Sequence, residues 1–172
     1  MSETLSGLDR NIRAVTTLFD GYRHAWRDRK IPKPERGLLV WAEGAVAEVG
    51  GQIMHVSPHD VADDPFFLQI EAEYYWAAIP DWRVTGLDVA GTGNVVLSQA
   101  RFEGTGPDGE VLAPLWLADR WQFDDQGRIT RWTQVTDLVG WMRWGALNRT
   151  TDYVTHVTRA FAAVGAMPRF VP

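Results

Sequence analysis

Four extended stretches in the second half constrain this chain more than any other feature: Trp82–Ala90, Val95–Glu103, Val111–Phe123 and Ile129–Asp137. Their residues partly alternate between apolar and polar, the pattern of strands with one buried face. Gly91-Thr92-Gly93-Asn94, Gly106-Pro107-Asp108-Gly109 and Asp124-Asp125-Gln126-Gly127 separate them, each rich in turn formers. Connections this short join neighbouring strands antiparallel. Asp81 to Leu138 is therefore expected to form a curved antiparallel meander ending on a carboxylate, Asp137.

The first half has a different period. Leu8, Ile12, Val15, Phe19, Tyr22 and Trp26 recur at steps of three and four, which places one apolar stripe on a helix. We read that stripe as core. Ser6 and Asp9 open the helix as a cap, and Pro32 and Pro34 are expected to stop it. Gly37 to Trp41 suggests a short helix, and Ala45 to Val56 two short strands around Gly50-Gly51. Ser57-Pro58 and Asp64-Pro65 each resemble an N-cap followed by proline at the first helical position. Phe67, Ile70, Tyr74 and Ala77 then keep helical spacing up to Pro80. Beyond the strands, Leu138 to Asn148 is Trp-rich, and its pattern assigns it neither to helix nor to strand. Asp152 is expected to cap a last helix carrying Val154, Val157, Phe161 and Val164, with Gly165 at its end.

Helices that precede an antiparallel sheet and must cover one face of it define an α+β layer fold. With no repeat or linker, residues 1–172 are expected to form one domain with a cavity at the open end of a twisted sheet. The 9 tryptophans point to a thick aromatic core, an aromatic-lined pocket or an apolar subunit interface. The Trp-rich stretch at 141–144 and the outer sheet face suggest a homodimer.

Composition removes several function classes. A net charge of −5 gives no long-range pull toward phosphate backbones, so no nucleic-acid partner is expected. The chain has no cysteine, which excludes thiolate chemistry and disulfides. No apolar run has the length of a membrane span or a signal peptide, and a cytoplasmic protein is expected. The glycine-rich turns lack the following helix that a phosphate loop requires. His55 and His59 flank Pro58, which denies them the helical alignment of a metal pair, and neither metal nor other cofactor is expected. His24 and His156 fall in helical, exposed positions.

On the third extended stretch, Leu115, Leu117, Asp119, Trp121 and Phe123 share one side. A carboxylate in that apolar row needs a partner, for which Arg101 and Arg120 are available. An ion pair and a catalytic acid are the two readings of Asp119. On the last stretch, Asp137 shares its parity with Ile129, Arg131, Thr133 and Val135, while Trp132, Gln134 and Thr136 take the other face. Only one set faces a cavity unless a bulge intervenes.

Ile79-Pro80-Asp81-Trp82-Arg83-Val84 resembles the helix-to-sheet junction of the SnoaL-like polyketide cyclases. Phe123-Asp124-Asp125-Gln126-Gly127-Arg128-Ile129, followed by Trp132 and Asp137, resembles their last hairpin. These cyclases belong to the nuclear transport factor 2-like superfamily of cone-shaped α+β barrels, with ketosteroid isomerase and limonene epoxide hydrolase. The likeness spans roughly Leu8 to Met142, leaving the C-terminal helix as an addition. It implies a pocket between the concave sheet and the N-terminal helices, where a buried carboxylate removes a proton alpha to a carbonyl without a metal. Asp137, eight residues after Ile129, matches the aspartate near the end of the cyclases' last strand and is the candidate base. The sequence departs at Gln134, where many relatives carry an acid, so the epoxide-hydrolase set of two carboxylates around an arginine is not matched.

Three readings follow. The first is a cofactor-independent cyclase or isomerase for a hydrophobic carbonyl compound, with Asp137 as base. Trp132, Gln134, Trp116 and Tyr74 would shape its cavity, and His59 would stand at the rim as a general acid. The second opens epoxides through Asp119 and Arg101 and requires an Asp–Arg contact inside the pocket. The third is a non-catalytic ligand-binding or assembly module in which Asp137 only caps the segment that follows.

Overall fold

The computed structural model describes residues 6–49, 52–63, 67–152, 155–156, 158–159 and 162. Helix α1 runs Gly7–Asp28, with Ser6 accepting a hydrogen bond from the Asp9 backbone at 3.2 Å. It ends before the prolines are reached. Arg29 adopts the left-handed conformation (φ 56°) and returns its N–H to Ala25, closing the last turn.

Residues 36–38 form a turn in place of the expected short helix, because Gly37 sits at φ 77°, outside helical space. Strand β1 (Trp41–Val49) follows at once, and β2 (Gln52–His55) pairs back on it antiparallel. Ser57-Pro58 opens no helix. The chain instead makes an isolated bridge from Asp60 to Val40 and a short 3-10 turn at Val61–Asp63. Asp64-Pro65 lies outside the described residues, but the helix expected after it, α2, spans Phe67–Trp76.

The remaining strands are β3 (Arg83–Thr92), β4 (Val95–Glu103), β5 (Leu115–Phe123) and β6 (Ile129–Thr136). They form the expected antiparallel meander, except that β5 starts at Leu115 rather than Val111. The sheet as a whole is mixed and open. Its order is β2-β1-β6-β5-β4-β3, and β1 lies parallel to β6. The fold is thus α+β, with helices on a six-stranded sheet rather than on four strands alone.

Two irregularities position the interior. In β1 the pairing slips between Trp41 and Val46, around Gly44 at φ 71°. In β6 Trp132 pairs with Trp121 and Ile129 with Phe123, which leaves one spare residue near Thr130. That bulge brings Ile129 and Trp132 to the same face, and both are buried. It resolves the parity question of the last strand in favour of Trp132 and Gln134.

The junction motif Ile79–Val84 locks helix to sheet. Trp82 is completely buried, stacked between Phe102 and Tyr75 at 5.0 Å from each. Its carbonyl accepts from Trp76 Nε1 at 2.8 Å. Asp81 accepts from the Thr105 backbone at 2.6 Å and from Arg83 at 2.8 Å, tying the end of α2 to the far turn of the sheet.

The segment after β6 forms helix α3 (Leu138–Gly145). Trp141 and Trp144 are buried within the chain and pack into its own core. Leu138, Val139 and Met142 are the exposed apolar residues of this helix. Asp152 accepts from the Thr155 backbone at 2.9 Å, and the described residues 155, 156, 158, 159 and 162 are helical. Val154, Val157, Phe161, Val164 and Gly165 of the expected helix lie outside the described residues. His156 is not exposed: it is 6% accessible and stacks on Tyr74 at 4.0 Å. Among the described residues, no helix is long and apolar enough to cross a membrane.

Candidate functional site

A cavity of about 70 Å³ lies between the inner sheet face and the two N-terminal helices. Helix α1 contributes Leu18, Phe19 and Tyr22, and α2 contributes Leu68 and Glu71. The sheet supplies Trp41 and Ala47 from β1, Phe102 from β4, Leu117, Asp119 and Trp121 from β5, and Ile129, Trp132 and Gln134 from β6. The lining is almost wholly apolar, and the described lining residues include no lysine, arginine or histidine. Two carboxyl groups stand in it, Asp119 and Glu71.

Asp119 occupies the middle of the inward row of β5, where alternation has already buried Leu117 and Trp121. Only 3% of it is accessible. Trp132 Nε1 donates to one carboxylate oxygen at 2.8 Å, and Ser98 Oγ stands 3.3 Å from the other. Ser98 in turn accepts from Trp121 Nε1 at 3.1 Å. Burial pushes the Asp119 carboxyl up to about 7, with the nearby charge of Glu71 adding to the rise and the donors from Trp132 and Ser98 opposing it.

Glu71 projects from the opposite wall. Tyr22 Oη lies 3.2 Å from its carboxylate and donates to it. Burial lifts Glu71 to about 7 as well, against the pull of the tyrosine donor. Tyr22 itself is raised well above its ordinary range by burial and then by Glu71, so it remains a donor. A carboxyl that titrates near neutrality exists in quantity as both acid and base at pH 7, the condition for proton transfer in either direction.

The expected site residues divide between this cavity and other places. Asp119, Trp132 and Gln134 line it together. Asp137 does not: it follows β6, accepts from the Gly140 backbone at 3.0 Å and caps α3. It borders an outer groove with Trp116, Val135 and Thr136. Trp116 points outward from β5 because it has the opposite parity to Asp119, and it is 45% exposed. Arg101 shares that outer side. It pairs with Glu103 at 2.6 Å and lies over the Trp116 ring at 6.0 Å. The Asp119–Arg101 contact required for epoxide opening is therefore not formed, since strand alternation puts the two on opposite faces. Arg120 is also turned out, donating to Gln122 at 2.9 Å.

Tyr74 is buried behind the cavity and donates to the Gly145 carbonyl at 2.9 Å, fastening α2 to α3. His59 lies beside Trp41, with ring centroids 6.3 Å apart, and its Nδ1 meets the Ser57 carbonyl at 2.6 Å.

Sequence reasoning missed Glu71 and the polar role of Tyr22. The available signal was Leu68-x-x-Glu71-Ala72-x-x-Tyr75, a carboxylate at helical spacing among apolar residues.

Three solved structures illustrate what the chain resembles in shape. A protein described as a SnoaL-like polyketide cyclase, from a Jannaschia species, is 18% identical with a TM-score of 0.47, covering 88% of this chain and 100% of its own. A phenazine biosynthesis-related protein from Pseudomonas aeruginosa is 14% identical with a TM-score of 0.46, covering 88% and 90%. An epoxide hydrolase of Mycobacterium tuberculosis, described as LEH-like, is 15% identical with a TM-score of 0.47, covering 83% and 94%. No protein-family model and no curated protein matches the chain. Likenesses this distant do not specify the chemistry of the cavity.

Proposed function

We propose that the chain is an enzyme of acid–base chemistry acting on a hydrophobic small molecule, with Asp119 and Glu71 as its proton-transferring pair. The observation that carries this reading is that two carboxyl groups, each raised to about 7, line one apolar cavity. Near pH 7 one carboxylate removes a proton from carbon beside a carbonyl, while the other carboxyl protonates oxygen or a second carbon. Apolar walls that exclude water favour such a transfer, because they keep the driving force of both groups near balance. Trp132, Ser98 and Gln134 would orient Asp119, and Tyr22 would orient Glu71.

The reaction class that suits this arrangement is isomerisation or intramolecular aldol cyclisation, in line with the polyketide-cyclase resemblance of residues 79–84 and 123–129. Proton abstraction in this scheme needs no redox partner. The base is assigned to Asp119 rather than Asp137 because only Asp119 reaches the cavity.

The test is exchange of alpha hydrogens for deuterium, followed by NMR across a panel of cyclic and polycyclic ketones. Asp119→Asn and Glu71→Gln should each lower the exchange rate of an accepted ketone by about 100-fold or more. If both variants exchange at the wild-type rate, the acid–base reading fails. A protein that binds the ketones tightly but never exchanges them would favour the binding-module alternative.

A further inference from the structure

The cavity is narrow because its walls are bulky. Six of the lining residues are aromatic, Phe19, Tyr22, Trp41, Phe102, Trp121 and Trp132, and the space between them is about 70 Å³. An apolar protein cavity of about 150 Å³ accommodates benzene. By that measure the space here holds roughly three or four non-hydrogen atoms. Four of the aromatics are tied to other groups. Trp132 donates to Asp119 at 2.8 Å, Trp121 to Ser98 at 3.1 Å and Tyr22 to Glu71 at 3.2 Å, while Phe102 stacks on Trp82 at 5.0 Å. Phe19 and Trp41 remain to limit the space by bulk alone, and Trp41 is the larger. Its ring lies 6.5 Å from that of Trp132, and its indole makes no hydrogen bond among the described residues. Its backbone N–H donates to the His59 carbonyl at 2.8 Å and the residue pairs with Ile129, so the chain that carries the ring is pinned from both sides.

We propose that the cavity takes a compact, uncharged carbonyl compound of a few non-hydrogen atoms, and that Trp41 sets the upper limit of its size. The inference rests on the acid–base reading above for its chemistry, but not for its size limit. An uncharged ligand suits the walls. The two carboxyls already receive donors from Trp132, Ser98 and Tyr22, and the described lining residues include no basic side chain to pair with an anion. A molecule this small has no second arm to fold back on its carbonyl. Of the two reaction classes named above, proton transfer fits the space and ring closure does not. Size should then run against the usual trend. In an unrestricted apolar pocket each added CH₂ tightens binding about fourfold. In a pocket of fixed volume the order reverses, because overfilling a close-packed interior forces its walls apart.

The experiment is an NMR titration of the tryptophan indole signals with acetone, cyclobutanone, cyclohexanone and 2-octanone. Affinity should fall along this series, with acetone about tenfold or more tighter than cyclohexanone. Trp41→Ala enlarges the cavity and should lower the acetone-to-cyclohexanone affinity ratio by about tenfold or more. Trp41→Leu, a milder truncation of a buried residue, should move the ratio in the same direction by a smaller factor. Affinity that rises along the series in the unaltered protein overturns the proposal. So do 2-octanone binding as tightly as acetone, no binding of any member, or a ratio that neither variant moves. The deuterium-exchange assay keeps the two readings separate. Ketones that bind in the expected order and never exchange defeat the acid–base reading alone. Large ketones exchanged through Asp119 as fast as acetone defeat the size inference alone.

Discussion

Trp132 Nε1 donates to the Asp119 carboxylate at 2.8 Å, a bond between neighbouring strands inside the cavity wall. It is a charge-assisted contact, stronger than one between neutral groups, and it favours the ionised form of Asp119. Replacing Trp132 with Phe keeps an aromatic ring and removes the donor. The Asp119 carboxyl should then titrate about one to two pH units higher. A pH–rate profile, or carboxyl NMR of labelled aspartate, reads the shift. An unmoved titration would mean that the bond does not tune Asp119.

The two cavity carboxyls should make the protein less stable as pH rises. Each is an acid whose folded value, about 7, exceeds its ordinary value of 3.8 (Asp119) or 4.5 (Glu71). Between those values the folded chain holds more protons than the unfolded one, so stability present in acid is lost as pH climbs to about 7. Asp119→Asn removes the titrating group and should stabilise the fold at pH 8 by on the order of 4 kcal/mol relative to its effect at pH 4. Urea unfolding at the two pH values measures the difference. A constant difference contradicts the burial of an ionisable Asp119.

His156 should act with the opposite sign over an overlapping range. Burial, aided by Arg159, lowers it to about 4. The folded imidazole stays neutral while the unfolded one protonates below its ordinary 6.5, so stability is lost as pH falls from 6.5 to about 4. His156→Phe retains an aromatic partner for Tyr74 and should remove up to about 2–3 kcal/mol of that acid-side loss. The check is the gap in unfolding free energy between wild type and variant at pH 7 and pH 4.5.

Asp137 should prove structural. Its carboxylate caps α3 through the Gly140 N–H at 3.0 Å, and it stands outside the cavity. Asp137→Ala should cost about 1 kcal/mol of stability, the usual loss of an aspartate cap. Turnover of any accepted substrate should remain within about twofold of wild type, which steady-state kinetics decides.

What the sequence revealed follows from the range of the interactions involved. The inward row of β5, with Asp119 among Leu117 and Trp121, was legible because strand alternation is local. So were α1 and the Asp81-Trp82 junction. The parallel pairing of β1 with β6 was not legible, because no turn marks a contact between segments so far apart. Glu71 was hidden because α2 intersperses Gln69, Glu71 and Glu73 among its apolar residues and shows no clear inward face. Trp116 and Arg101 were placed near the cavity on residue type alone, whereas their parity sends them outside. His156 looked solvent-facing until Tyr74, 82 positions earlier in the chain, closed over it.

The spare residue near Thr130 has a wider consequence. Were β6 paired regularly from Ile129, Arg131, Thr133 and Val135 would look inward, and Trp132 and Gln134 outward. The strand thus carries two linings in one sequence, the Trp132 and Gln134 set in use and the Arg131, Thr133 and Val135 set turned away. Sliding the bulge a few positions along would exchange them and hand Asp119 an arginine neighbour with no amino acid replaced. In this sheet the alignment of one strand, and not only its residue types, decides which chemistry faces the cavity.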